Sequence, residues 1–139
     1  MNQDSHSSHL LPFFTPQPPS GLTSPNDCYA EVAVDVDRYL EVQRPSTFFV
    51  RVSGKSMVNA GIMDQAILVA SRDRPPKHDD IVIADIDGEL SCKILDTKAQ
   101  VLRTANTNHR PVSVRDHSEH KEVTLLGVVT HAINPLSSI

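Results

Sequence analysis

A small, curled, partly open all-β domain behind an extended, flexible N-terminal arm is the fold class predicted for this 139-residue chain. Three observations carry that expectation. Short runs rich in β-branched and aromatic residues recur after Ser46, with little amphipathic helix between them. Asp87-Gly88 stands between two such runs as a strong hairpin signal. Prolines crowd the early chain, where they oppose helix and central strand alike. The division expected is an arm over 1–43 and a β-rich domain over 44–139, long enough to bury a core of its own.

In order, residues 1 to about 27 are mostly Ser, His, Asn, Asp and Pro, around one apolar knot, Leu10-Leu11-Pro12-Phe13-Phe14. Pro16, Pro18, Pro19 and Pro25 make an extended or disordered arm the expected state. Within it, Pro19-Ser20-Gly21-Leu22 is sterically open enough for a protease, although a plain linker turn is the commoner origin of such a tetrapeptide. Val32, Val34 and Val36 alternate with Ala33, Asp35 and Asp37 as in a short strand, while Asp37 to Val42 also suits one helical turn closed by Arg44-Pro45. Strands follow at Thr47 to Val52 and Ile67 to Ala70, then a proline-broken loop from Arg72 to Asp80. Ile81 to Ile86 leads through Asp87-Gly88 into Glu89 to Leu95, with Leu90, Cys92 and Ile94 on one face and Ser91, Lys93 and Leu95 on the other. Further strands are expected at Gln100 to Arg103, Pro111 to Val114 and across Val123 to Ile133.

Composition narrows function. A net charge of −4 and a pI near 5.9 argue against strong direct binding to nucleic acid by phosphate neutralisation. Cys28 and Cys92 lie at no metal-ligand spacing and suggest no disulfide framework. With no secretory signal and no apolar run of membrane-spanning length, a soluble cytoplasmic protein is the expected class. His6, His9, His78, His109, His117 and His120 fall in arm or loops and read as solvated; His131 alone falls in a strand, and no metal site or cofactor is expected.

The chemically suggestive stretch is Ser53-Gly54-Lys55-Ser56-Met57, where the Phe48-Phe49-Val50-Arg51-Val52 run ends in a turn. A serine there presents its Oγ, but it needs a base. Lys93, mid-strand after the hairpin, is one candidate, and a Ser-His-Asp arrangement stays open. Deprotonating an ordinary lysine at pH 7 costs about 4.6 kcal/mol. Burial lowers a lysine pKa by roughly 3–5 units and removes most of that cost. An outward-facing strand lysine is nonetheless the commoner fate of such a residue.

Phe48-Phe49-Val50-Arg51-Val52-Ser53-Gly54-x-Ser56-Met57-x-x-x-Gly61-Ile62, Asp79-Asp80-Ile81-Val82-Ile83-Ala84, Gly88-Glu89-x-x-x-Lys93 and Gly127-Val128-Val129-Thr130-His131 together resemble the C-terminal domain of the LexA-type self-cleaving serine peptidases, most closely the UmuD/MucA-like branch. The resemblance implies Ser56 as nucleophile, Lys93 as general base, an oxyanion hole on the backbone of Ser56 and Met57, and a scissile bond at Ser20–Gly21, since Gly21-x-x-Ser24-Pro25 also matches the arm beyond the cut. It further implies a homodimer, processed in the SOS DNA-damage response with a RecA filament on single-stranded DNA as co-effector. The product, lacking about residues 1–20, would serve a UmuC-like error-prone translesion polymerase. An unprocessed adaptor for polymerase or RecA is the alternative. A proline-broken arm leaves no room for the repressor branch's DNA-binding head. The pattern departs at Lys55, a second amine beside the nucleophile, and at Asp64-Gln65-Ala66 and Val69-Ala70-Ser71, where lost acidic side chains are expected to bear on partner contacts and loop geometry.

Overall fold

The computed structural model describes residues 10–16, 29–106, 112–113 and 122–137, and nearly all regular structure among them is β. The chain divides into two units, Met1–Gln43 and Arg44–Ile139.

In the first unit, β1 (Leu10–Pro16) and β2 (Tyr29–Asp35) form an antiparallel ribbon, with Leu10 opposite Asp35 and Pro16 opposite Tyr29. Leu10–Pro16 is thus extended, as expected of the arm, and is paired along its length with β2. Each strand of a two-stranded ribbon keeps one outer edge, where a missing N–H costs nothing. Pro12 and Pro16, four residues apart, withhold their N–H groups from the same edge. The Asp35 carboxylate then accepts the Arg38 N–H at 3.3 Å and caps α1 (Val36–Tyr39). Strand and helical turn, read from the sequence as alternatives, follow one another and change over at Asp35.

The second unit is one open antiparallel sheet in the order β3-β4-β9-β5-β6-β7-β8. Its strands are β3 (Thr47–Arg51), β4 (Ile67–Ser71), β5 (Ile81–Ile86), β6 (Glu89–Asp96), β7 (Val101–Arg103), β8 (Val112–Ser113) and β9 (Val123–Ile133). Asp87 and Gly88 take φ of 53° and 88°, the left-handed pair of a type I′ hairpin turn, and the Gly88 N–H donates to Asp85 Oδ1 at 2.7 Å. Ile81-Val82-Ile83-Ala84 lies between β9 and β6 and is covered on both faces, so it is apolar throughout instead of alternating.

One core cluster joins Met57, Ile62, Ala66, Leu68, Ala70, Ile83 and Cys92; the other joins Val82, Ala84, Leu95, Leu102 and Val128. Each large side chain so buried contributes about 1.5–3 kcal/mol. Gly127 is needed for close packing: a Cβ there would lie 2.8 Å from the Phe48 ring and 2.9 Å from the Ser71 carbonyl oxygen. Ala66 and Ala70 are fully buried, so the departures at those two positions fall within the core. His78 also departs from the solvated loop residue expected. It is half-buried, its Nδ1 accepts the Thr97 N–H at 3.1 Å, and Asp79 and Asp96 lie within ion-pair distance. No helix among the described residues is long and apolar enough to cross a membrane.

Candidate active site

β3 ends at Arg51, and the chain enters a loop that returns at Ala66. The return limb closes on the outgoing one through Val52 N–H to Ala66 O (3.0 Å) and Gln65 N–H to Val52 O (2.8 Å). Gly54, at φ +95°, turns the chain, and its N–H donates to Asp64 Oδ1 at 2.7 Å. Gln65 Nε2 donates to both Asp64 Oδ1 and Ser53 Oγ at 3.2 Å. These bonds, the Gly54 N–H first and the Gln65 amide second, hold the Asp64 carboxyl below its usual range, with the Lys55 charge a smaller contributor.

Met57 and Ile62 anchor the loop in the core, and a 3₁₀ turn over Val58–Ala60 connects them. Three distant residues tie it from outside. Asn134, just past β9, donates through Nδ2 to Gly61 O (2.7 Å) and accepts the Met63 N–H (3.0 Å). Beyond β7, Ala105 O accepts the Asn59 N–H at 2.9 Å and Asn106 Nδ2 donates to Lys55 O at 3.2 Å. Sequence reading missed Asp64 as a clamp and both asparagines. A short polar side chain in a loop carries no local signal for its partner, which lies 10 residues away for Asp64, 51 for Asn106 and more than 70 for Asn134.

Ser56 and Lys93, both half-buried, line one cleft of about 320 Å³, together with Val50, Ser53, Leu90 and Cys92. No histidine lines it, so the Ser-His-Asp alternative is not assembled among the described residues. His131 lies along a separate groove with Arg74 and Lys77. Thr130 Oγ1 lies 3.2 Å from Val69 O and 3.0 Å from His131 Nδ1, within hydrogen-bond distance of both. Lys55 is exposed and does not line the cleft, so the second amine stands outside it.

Two backbone edges flank the cleft. β3 is an edge strand, and residues 89–93 of β6 pair only with β5 among the described residues, since β7 joins β6 from Ile94 onward. In that register Lys93 stands opposite Val82, on the sheet face of the second cluster, whereas Cys92 packs with Met57 on the other. Burial pushes the Cys92 thiol up to about 12 against the opposing pull of the Lys93 charge, so the cleft is lined beside Lys93 by a neutral, apolar group. Among the described residues the Ser56 hydroxyl and the N–H groups of Ser56 and Met57 make no hydrogen bond. Ser20 and Gly21 lie outside the described residues.

The Peptidase S24-like family model matches residues 16–130. Protein ImpA of Salmonella typhimurium is 36% identical over 132 residues, covering 91% of this chain and 86% of that protein. Protein MucA of Escherichia coli is 30% identical over 125 residues, covering 90% and 85%. The LexA repressor of Geobacter metallireducens is 33% identical over 101 residues, covering 68% of this chain and 49% of the repressor.

Proposed function

The chain belongs to the Peptidase S24-like family, and from that premise we propose that it is a self-cleaving serine peptidase in which Ser56 is the nucleophile and Lys93 the general base. The observation that carries this reading is the cleft that Ser56 and Lys93 line together, with no histidine along it.

In the proposed reaction the neutral Lys93 amine removes the Ser56 hydroxyl proton as Oγ attacks the Ser20 carbonyl carbon. Lys93 lies along the same cleft as Ser56, and its flexible four-carbon stem gives the amine reach toward the hydroxyl. The uncommitted N–H groups of Ser56 and Met57 receive the tetrahedral oxyanion. Collapse breaks the bond to Gly21, whose nitrogen takes the proton back from Lys93, and leaves an ester on Ser56. Water, deprotonated by the same amine, then hydrolyses the ester. An extended peptide suits this cleft because the flanking backbone edges offer it strand-like hydrogen bonds. From Gly21 to Pro45 a fully extended chain spans up to about 80 Å, so the scissile bond can be a chain's own or that of the second chain in a homodimer.

The resemblance to the UmuD/MucA-like branch supports the wider role: processing in the cytoplasm during the DNA-damage response, favoured by a RecA filament on single-stranded DNA, with the shortened chain joining a UmuC-like translesion polymerase. Intact mass after incubation at pH 10, and at pH 7.5 with RecA filament, tests the reaction. Loss of residues 1–20 in the native chain and none in Ser56→Ala is the expected result. An intact native chain under both conditions leaves only the unprocessed adaptor.

A further inference from the structure

We propose that Asn106 is a positioning residue for the oxyanion site, acting through the peptide plane between Lys55 and Ser56. The inference rests on Ser56 being the nucleophile. A trans peptide unit is planar, so its C=O and N–H point in opposite directions and cannot be aimed separately. The Lys55 oxygen accepts the Asn106 Nδ2–H at 3.2 Å and the Val58 N–H at 3.2 Å. Holding that oxygen sets the direction of the Ser56 N–H, which among the described residues makes no hydrogen bond of its own.

The two bonds on this oxygen differ in what they fix. The Val58 bond closes a local turn and moves with the loop. Asn106 instead ties the plane to the chain leaving β7, which carries the fully buried Leu102 and pairs with β6 at Ile94–Asp96, directly after Lys93. Asn106 therefore references the oxyanion donor to the strand that holds the base. Without its amide the Lys55–Ser56 plane is tied only within the loop. The neighbouring bond from the Asn59 N–H to Ala105 O at 2.9 Å uses backbone atoms alone, so the loop stays docked when the Asn106 side chain is removed.

Loss of a whole oxyanion donor lowers kcat by about 10²–10³, and loosening the aim of one is expected to cost about tenfold or more. The test uses the full-length chain with Asn106→Ala, and with Asn106→Asp, which keeps the size but replaces the donated hydrogen bond by a carboxylate facing the Lys55 carbonyl. First-order self-cleavage is followed by intact mass from pH 7 to 10.5, beside thermal melting. Both variants are expected to lose about tenfold or more in the limiting alkaline rate, with the midpoint of the pH–rate curve unmoved and cooperative melting retained. Variants within twofold of the native rate, a shifted midpoint (action through Lys93), or loss of cooperative melting (a structural role) overturn the proposal. A native chain that does not cleave overturns instead the peptidase reading on which it rests.

Discussion

Cys92 makes the fold less stable at the alkaline pH that favours a lysine base, because its thiol is buried. The thiol is 8% exposed, and burial raises its pKa from 9.0 to about 12. Between those values the unfolded chain releases this proton and the folded chain keeps it. The unfolded state therefore binds fewer protons, and stability falls as pH rises. The contribution is fully present below pH 9 and lost progressively toward pH 12. Between pH 8 and pH 10 the loss is about 1.4 kcal/mol, one pKa unit of ionisation at 1.36 kcal/mol per unit. Urea titrations at the two pH values on Ser56→Ala, which avoids self-cleavage, and on Ser56→Ala with Cys92→Ala isolate the effect. With a urea slope of about 1–3 kcal/mol/M, the chain that keeps Cys92 should lose on the order of 0.5–1.4 M more of its midpoint than the chain carrying Cys92→Ala. The other alkaline groups, Cys28 included, are common to both chains and cancel. Equal losses in the two would falsify the burial-driven shift.

Three further outcomes are expected. Gly127→Ala drives a methyl into the Phe48 ring and the Ser71 carbonyl, and should destabilise by about 1–3 kcal/mol in urea, with a change in near-ultraviolet signal as the ring moves off Arg72, now 4.5 Å above it. An unchanged midpoint would show that Phe48 has room the packing denies. Asp96 is held below its usual range chiefly by the Ala99 N–H, with His78, Lys98 and Arg103 adding to it, so its stabilisation is present above the ordinary carboxylate range and is lost as pH falls through the lowered value. Asp96→Asn should flatten the thermal midpoint between pH 5 and 2.5 relative to the native chain; parallel curves count against the linkage. Asp64→Asn keeps an oxygen for the Gly54 N–H but removes the charge, and should slow self-cleavage less than Asp64→Ala, which removes the acceptor and frees the turn. The reverse order in a mass time course refutes the clamp.

What was legible in the sequence was what local chemistry decides. Asp87-Gly88 specified its turn because two adjacent left-handed φ values leave few residue choices, and the apolar runs on either side became β5 and β6. The motif around Ser56 announced the family that the comparisons report. The rest depends on contacts distant in sequence. Prolines in Leu10–Pro16 argue against a strand only where both edges are paired, and a two-stranded ribbon does not pair both. His78 read as solvated because nothing nearby indicates that Thr97 and Asp96 close over it. Asn106 and Asn134 were invisible for the same reason: each bonds backbone atoms of a loop supplied by another part of the chain.

The β1–β2 ribbon gives the proposed cut a consequence that can be weighed. Residues 17–28 connect the two strands, so hydrolysis at Ser20–Gly21 leaves β1 on one product and β2 on the other. Before the cut the pairing is intramolecular, at an effective concentration near millimolar for a short connection. A lone two-stranded ribbon is marginal in water even then, and Leu10, Leu11, Phe13 and Phe14 stay about half exposed or more, so little burial holds β1 in place. After the cut, at about 10 µM protein, pairing is disfavoured roughly a hundredfold relative to the uncut chain, and only on the order of 1% of the released segment remains bound. Release is then spontaneous and bares the β2 edge that β1 had paired. Size-exclusion chromatography of the cleaved mixture, followed by mass spectrometry of each fraction, should find the 1–20 peptide in the small-molecule volume. Co-elution of the peptide with the 21–139 product at 10 µM would mean that β1 is held by more than its ribbon.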